Sequence, residues 1–254
     1  MTLNHDRQNL ARAAWAVAVL LLALLAGACA PKFDQMTAQE INDYATKKIA
    51  EKDYQDAIDA YNALIDLYPF STFVTGAELG VADAQYAKRQ FAEAETSYDA
   101  FAKRHPNHEK IDRVVYYSGM CAYEQKQAID RDQTQTAKAE TQFSQLVSRY
   151  PQSSFFNDAR EHLKECRNDL AKRERYIAKH YWRDDEYYAA FKRYERIVQL
   201  YSDTDYYEEA LYYGARCLAN LDERTQARRY IEILLQRFPG GKYADDAKKM
   251  AAKL

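Results

Sequence analysis

The sequence predicts an all-α protein built from a short helical repeat, and three observations support this class. The chain of 254 residues has only 7 glycines and 5 prolines, so residues that favour tight turns are scarce. Apolar residues recur at helical spacing, and runs that alternate apolar and polar residues, as half-buried strands do, are missing. Four of the five prolines close similar amphipathic phrases, the first of which is DAIDAYNALIDLYP. Since proline cannot continue a helix, each phrase predicts a helix that ends near its proline.

The phrases align at several positions. An alanine lies twelve residues before each proline, and a large apolar residue lies eight residues before it. The four sets are Ala57, Tyr61 and Pro69; Ala94, Tyr98 and Pro106; Ala139, Phe143 and Pro151; and Ala227, Ile231 and Pro239. A fifth copy has Ala190 and Tyr194, with Ser202 in place of the proline. A small residue lets a neighbouring helix approach, and the large residue one turn later fills the gap between helices, so the pattern predicts closely packed helix pairs.

A second small residue precedes each phrase and predicts a first helix for every unit. These residues are Ala45, Ala82, Gly119, Ala178 and Ala215. A helix, a short turn and a second helix ending near proline resemble the tetratricopeptide repeat, which implies a right-handed α-solenoid of five hairpins over residues 38–239. The third unit carries an insertion, KQAIDRDQTQTAK, and the fourth opens with one long helix ending near Trp182. Residues 243–254 predict a capping helix.

The amino terminus predicts an export signal that ends at a lipid attachment site. An apolar run from Ala13 to Ala28 is shorter than the roughly 20 residues of a spanning helix and ends in small residues. Residues 25–29 read LAGAC, which resembles the bacterial lipobox, whose cysteine is acylated. We expect residues 1–28 to be a removed signal peptide and residues 29–37 to comprise the lipidated Cys29 and a tether. An ordinary signal peptide followed by an unrelated cysteine is the alternative.

Composition and motifs argue against nucleic-acid binding and catalysis. The formal net charge is only −2, whereas nucleic-acid-binding domains are usually basic. No phosphate-binding glycine loop and no nucleophile elbow occur. His105 and His108 lie in a turn without a further ligand at suitable spacing, and the acidic run at 184–186 is typical of a solvated turn. We therefore predict no enzyme activity, no metal and no cofactor other than the acyl groups on Cys29.

The remaining cysteines leave two interpretations open. Cys121, Cys166 and Cys217 show no zinc-ligand spacing. An oxidising compartment permits one disulfide, for which Cys121 and Cys166 are the favoured pair. Three buried free thiols are an equally weighted alternative.

The 22 tyrosines suggest a peptide-binding groove. Tyrosine offers apolar area with a polar tip, which suits peptide capture, and the inner helices of such solenoids line the concave face. The residues predicted to line the groove are Asn42, Leu79, Asp83, Tyr86, Tyr116 and Tyr123. Packing between repeats is the alternative role of these side chains.

Four longer sequence segments together resemble one protein family. LYPFSTF, HPNHEKIDRVVYYSG, IDRDQTQTAKAETQF and LAKRERYIAKHYW occur in this order. Together they resemble the ComL/YfiO lipoprotein family, which supplies the D subunit of the bacterial β-barrel assembly machinery. The resemblance spans Cys29 to about residue 240 and implies a scaffold and substrate receptor, lipid-anchored at the periplasmic face of the outer membrane. Another periplasmic repeat lipoprotein, such as a type IV pilus pilotin or a cell-division organiser, is the alternative.

The same resemblance implies partners for the two halves of the chain. Family members bind POTRA domains of the barrel-forming core subunit through later repeats, here residues 152–254. Earlier repeats, here residues 38–151, are implicated in recognising unfolded outer-membrane proteins, and other lipoproteins of the machinery are expected partners. The POTRA-facing region is expected to include Lys192 and Arg193, with a solvated helix face as the alternative.

Overall fold

A computed structural model describes residues 33–254, and the regular structure in that range is entirely α-helical, as predicted. Eleven helices are found in these residues: α1 (Ala38–Ala50), α2 (Tyr54–Leu67), α3 (Val74–Ala87), α4 (Phe91–Arg104), α5 (Ile111–Glu124), α6 (Thr134–Arg149), α7 (Phe156–Arg183), α8 (Tyr187–Leu200), α9 (Tyr207–Asn220), α10 (Arg224–Arg237) and α11 (Ala244–Ala251). The predicted signal peptide and Cys29 lie outside the described residues.

Four of the five predicted pairs pack within a single unit: α1–α2, α5–α6, α7–α8 and α9–α10. The predicted repeat register is confirmed by burial. Nine of the ten small residues that define the register are alanines with no exposed surface. They are Ala45, Ala57, Ala82, Ala94, Ala139, Ala178, Ala190, Ala215 and Ala227. The tenth, Gly119, is also buried. A Cβ added at Gly119 would lie 2.9 Å from Cε1 of Phe143, so only glycine permits this helix approach.

Four of the five pairs share one turn, although none of these turns contains glycine. Lys52, Arg89, Asp185 and Asp222 have φ angles of 61°, 63°, 59° and 60°. Each lies seven residues after the small residue of its first helix. The next N–H donates to the carbonyl five residues earlier at 2.9–3.0 Å, the hydrogen bond of a Schellman cap. The third pair lacks this turn, because residues 125–133 form a longer connection there. The predicted insertion spans residues 126–138, and its last five residues begin α6.

Packing divides the chain into two units, the first ending at Ala84 and the second running from Gln85 to Leu254. In the first unit, Thr37 and Glu40 form a capping box that begins α1. The core there includes Ile41 and Leu64, which have no exposed surface. The predicted functional division at residues 151/152 concerns partners and stays a prediction.

The second unit is organised around α7, a single helix of 28 residues. Its end at Arg183 confirms the long helix that was expected to end near Trp182. Arg167, near its middle, donates to Glu140 of α6 at 2.9 Å and to Asp203, between α8 and α9, at 2.7 Å. This hydrogen bonding holds the pKa of Asp203 below its usual value. The predicted carboxy-terminal helix is α11, whose Ala247 packs in the same core as residues of α9 and α10.

Ala139→Leu is expected to destabilise the second unit, because three extra heavy atoms enter a site with no exposed surface. Overfilling a packed core costs about 1–3 kcal/mol. For a chain of this size, each kcal/mol lowers the melting temperature by roughly 2–4 °C. Ala137→Leu, on the exposed side of the same helix, is the matched control. Equal melting temperatures for the two variants would show that the repeat register is wrong.

Candidate functional site

The groove residues predicted in the first unit differ in exposure. Asn42 of α1 and Asp83 of α3 are half-buried. Leu79 of α3 is only 7 % exposed. Leu79 therefore contributes mainly to the core, while the two polar side chains keep part of their surface accessible.

The groove residues predicted in the second unit are held in aromatic contacts. Tyr116 is 9 % exposed and stacks on Phe155 at 4.6 Å between ring centroids. Tyr123 lies 4.5 Å from the ring of His162, and its hydroxyl donates to Glu165. These contacts join α5 to the start of α7, so Tyr116 and Tyr123 serve packing between helices in this unit.

Tyr86, the remaining predicted groove residue, belongs to a cluster of four rings on α3, α4 and α5. Tyr117 lies at its centre, 5.0 Å from Tyr86 and 6.0 Å from Tyr98. Phe91 completes the cluster, 5.6 Å from Tyr86. Tyr98 has no exposed surface, whereas Tyr86 and Tyr117 are half-buried. The cluster therefore has a buried side and an accessible side.

The same four-ring arrangement recurs 96 residues later, the offset between Ala82 and Ala178. Tyr213 takes the central place, 5.8 Å from Trp182 and 5.7 Å from Tyr194. Tyr187 lies 5.2 Å from Trp182. The central ring stacks on its buried neighbour at nearly the same interplanar angle in both clusters, 22° and 19°. The repeat therefore places equivalent rings in two parts of the second unit.

Basic residues that were not among the predicted groove residues lie beside the second cluster. The same offset applied to Leu79, Asp83 and Tyr86 leads to Arg175, Lys179 and Trp182. These three side chains line one cavity of about 390 Å³. The repeat could have predicted these residues, because adding 96 to the numbers of the three predicted groove residues gives Arg175, Lys179 and Trp182.

Lys192 and Arg193, the predicted partner residues, lie on α8 and differ in environment. Lys192 is exposed and pairs with Glu195. Arg193 is half-buried, and its Nη1 donates to Oε2 of Glu174 at 3.2 Å. Arg196 binds the other oxygen of Glu174, also at 3.2 Å. A partner carboxylate at Arg193 would therefore compete with a carboxylate from α7.

Metal-ligating clusters and reactive thiols were sought among the described residues. In residues 33–254 no group of three or more His, Cys, Asp or Glu side chains could hold a metal ion. Cys121, Cys166 and Cys217 are free and buried, so the favoured Cys121–Cys166 disulfide is not formed. Burial raises the pKa of each thiol to about 12, and the carboxylates of Glu95 and Asp99 act in the same direction on Cys121.

Comparison with known families gives a match over most of the chain. Residues 34–228 match the model of the YfiO family, described as an outer membrane lipoprotein. The chain belongs to this family. The match covers the helices from α1 to α9 and the start of α10, so the family assignment and most of the repeat register describe the same residues.

Curated relatives carry one name. Outer membrane protein assembly factor BamD of Caulobacter vibrioides is 24 % identical over 94 % of this chain and 81 % of the relative. BamD of Neisseria meningitidis serogroup B is 26 % identical over 77 % of each chain. BamD of Rickettsia prowazekii is 22 % identical over 92 % of this chain and 94 % of the relative. These relatives are named as assembly factors, not as enzymes.

Similarity to solved structures is weaker. The TPR2AB domain of yeast Sti1, in a complex with pHSP90, has a TM-score of 0.40 at 15 % identity and covers 84 % of this chain and 82 % of that chain. YrrB, a TPR protein with an unusual peptide-binding site, has a TM-score of 0.40 at 15 % identity and covers 85 % of this chain and 94 % of that one. Because both scores are low, the family assignment rests on the sequence match.

The helices were compared with the length and hydropathy that a membrane-spanning helix requires. The helices within residues 33–254 include none that is both long enough and apolar enough to cross a bilayer. The predicted acylation of Cys29 lies outside these residues and stays a prediction.

The three thiols are expected to resist a thiol reagent in the native state. A pKa of about 12 keeps each of them protonated at pH 8, and the thiolate is the reactive form. The test uses a Cys29→Ser chain titrated with an aromatic disulfide reagent, before and after addition of guanidinium chloride. We expect no fast reaction before unfolding and three equivalents after it. One equivalent after unfolding would instead reveal a disulfide.

Proposed function

We propose that this protein is a scaffold and substrate receptor in the assembly of β-barrel outer-membrane proteins. The observation that carries the proposal is the family match over residues 34–228. The shared name of the curated relatives, outer membrane protein assembly factor, supports the same process. Family membership also favours this function over a pilotin or a cell-division organiser.

The helix pairs suit a protein that holds other chains. Each pair buries its small residues completely, so the side chains it presents project from rigid helices. Rigid presentation lowers the entropic cost of binding, because few groups need to be ordered on association. We propose that residues 38–151 receive unfolded outer-membrane proteins and that residues 152–254 bind POTRA domains of the barrel-forming core subunit. Other lipoproteins of the machinery complete the set of partners.

Arg193 is the residue we assign to the POTRA contact, with Lys192 beside it. Within residues 33–254, only Nη1 of the Arg193 guanidinium has a hydrogen-bond partner. The remaining nitrogens keep the planar donor edge that a partner carboxylate can use. The side chain is 35 % exposed, so such a carboxylate can reach it without moving α8.

Arg193→Gln is expected to weaken binding to the isolated POTRA domains about tenfold, or about 1.4 kcal/mol. Glu174→Gln removes the competing carboxylate and frees the guanidinium, so its affinity for the POTRA domains is expected to equal or exceed that of the unmodified protein. Both affinities can be measured by titration calorimetry, with circular dichroism to compare folding.

Arg149→Gln is the control for these variants, because Arg149 is exposed and lies in the other half of the chain. Its affinity for the POTRA domains is expected to be unchanged. If Arg193→Gln also binds normally, Arg193 is not part of the interface. If Glu174→Gln weakens binding as much as Arg193→Gln, the ion pair between Arg193 and Glu174 supports the shape of the binding surface, and Arg193 does not contact the POTRA domain directly.

Cys29→Ser is expected to release the protein from membranes. Several acyl chains on one residue hold a protein stably, at roughly 0.8 kcal/mol per buried CH₂ group. Cell fractionation and detergent-phase partitioning measure the release, and Ala30→Ser is the control that keeps the cysteine. Membrane association of the Cys29→Ser protein that is unaltered in salt-washed membranes would contradict the proposed anchor.

A further inference from the structure

The cavity beside the second aromatic cluster is formed within the second unit by α7, α8 and α9. It has a volume of about 390 Å³. Its rings come from Trp182, Tyr194 and Tyr213, and its cationic groups include Arg175 and Lys179. The proposed function assigns no role to this cavity.

The charge of the cavity is strongly unbalanced. Arg175, Lys179, Arg183 and Arg216 line it. One carboxylate faces them: Glu209 binds Arg175 at 2.7 Å and Lys179 at 3.1 Å. Burial alone would raise the pKa of Glu209, but the ion pairs with Arg175 and Lys179 lower it, so this carboxylate is ionised at neutral pH. Four positive charges therefore face one negative charge.

The neighbouring carboxylates interact with groups that do not line the cavity. Glu174 is held by Arg193 and Arg196. Asp184 pairs with His180 at 3.1 Å, and Asp185 accepts a hydrogen bond from Tyr187 at 2.5 Å. Among the described residues, neither Arg183 nor Arg216 has a carboxylate within ion-pair distance.

Arg216 is positioned by rings and not by acids. Its guanidinium carbon lies 4.6 Å from the ring centroid of Trp182 and 5.4 Å from that of Tyr213. Stacking of this kind orients the guanidinium plane, and the N–H donors at the edge of that plane remain available to a ligand. A carboxylate can accept two of these donors together, which is the strongest form of such a pair.

Tyr194 supplies an independent sign of a missing partner. The residue has no exposed surface, and its hydroxyl has no hydrogen-bond partner in the described part of the chain. A buried hydroxyl without a partner costs about 1–3 kcal/mol. An acceptor on a ligand in the cavity would satisfy it.

The repeat itself does not require these charges. At the positions 96 residues earlier, Arg175, Lys179, Arg183 and Arg216 are replaced by Leu79, Asp83, Ala87 and Met120. The four rings are arranged alike in both places. The cationic groups are therefore an addition to the packing and not a consequence of it.

We propose that this cavity binds an acidic peptide segment in which an apolar side chain lies between carboxylates. The excess of three positive charges exceeds what the single carboxylate of a chain end would neutralise, so a segment with several acidic side chains fits better. The apolar side chain contacts the rings of Trp182 and Tyr213, while the carboxylates bind Arg216 and the cations of α7. The site goes beyond the proposed function, since it presumes neither a POTRA domain nor an outer-membrane protein as the source of the segment.

Trp182 provides the measurement. The sequence has two tryptophans, and Trp15 lies in the predicted signal peptide, so Trp182 is the only tryptophan of the predicted mature chain. The mature chain, in detergent micelles, is titrated with the peptide Ac-Gly-Glu-Phe-Glu-Gly-NH₂ and its tryptophan fluorescence is followed. We expect a saturable change that weakens with added salt. The peptide with both glutamates replaced by glutamine is expected to bind at least about tenfold more weakly.

Variants locate the binding. Arg216→Gln is expected to weaken binding of the acidic peptide about tenfold. Arg183→Gln, at an exposed residue, is expected to weaken binding as well and guards against a folding defect in the first variant. Arg228→Gln, at an exposed residue of α10, is the matched control and should bind the peptide normally.

Three results would overturn the proposal. The glutamine peptide could bind as tightly as the acidic one, which would make the site apolar in its preference. Inorganic phosphate could displace the peptide at equal concentration, which would assign the cavity to a phosphate ligand. Binding could also be unaltered in folded Arg216→Gln and Arg183→Gln proteins, which would place the peptide elsewhere. None of these results bears on POTRA binding, which is tested at Arg193.

Discussion

The structure depends on one contact, in which a residue without a side chain, or with a single methyl group, faces a large ring on another helix. A Cβ at Gly119 would lie 2.9 Å from Phe143, one at Gly80 would lie 2.5 Å from Tyr61, and one at Gly214 would lie 2.9 Å from Tyr230. Helices approach this closely only where the Cβ is absent or small. The distance between paired helices is thereby set.

Constant spacing lets the same backbone carry different chemistry. Tyr117 and Tyr213 occupy equivalent places and contact equivalent rings. The repeat positions that carry Leu79 and Met120 carry Arg175 and Arg216 at the offset of 96 residues, so the charges differ. The aromatic contacts maintain the stack, and the residues at the rim determine what kind of ligand each part of the stack can bind.

Much of this fold is readable from the sequence, because it is encoded by local periodicity. The prolines and alanines predict the helix pairs, and the absence of a breaker predicts α7. The turns at Lys52, Arg89, Asp185 and Asp222 are not readable, since left-handed residues are usually signalled by glycine or asparagine. Here the Schellman hydrogen bond and the packing of the pair impose the conformation on lysine, arginine and aspartate.

The candidate site is less predictable, because its features depend on residues distant in sequence. Helical periodicity places Tyr116 on an inward face, but only the structure shows that Phe155 covers it. The ion pair of Arg193 with Glu174 joins two helices, as does that of Arg175 with Glu209. The free state of Cys121 and Cys166 likewise depends on the arrangement of α5 and α7. The family, by contrast, is recognisable from short phrases whose order survives at low identity.

The continuous helix α7 has a mechanical consequence. Its first half contacts α5 and α6 through Glu165 and Arg167, and its second half contacts α8 and α9 through Glu174 and Arg175. At 1.5 Å per residue, its 28 residues span about 42 Å without a glycine or proline that would let it bend. A displacement of the helix at Phe156 is therefore transmitted to Arg183 as rigid-body motion of α7. Movements of the helices packed on its two ends are thereby coupled.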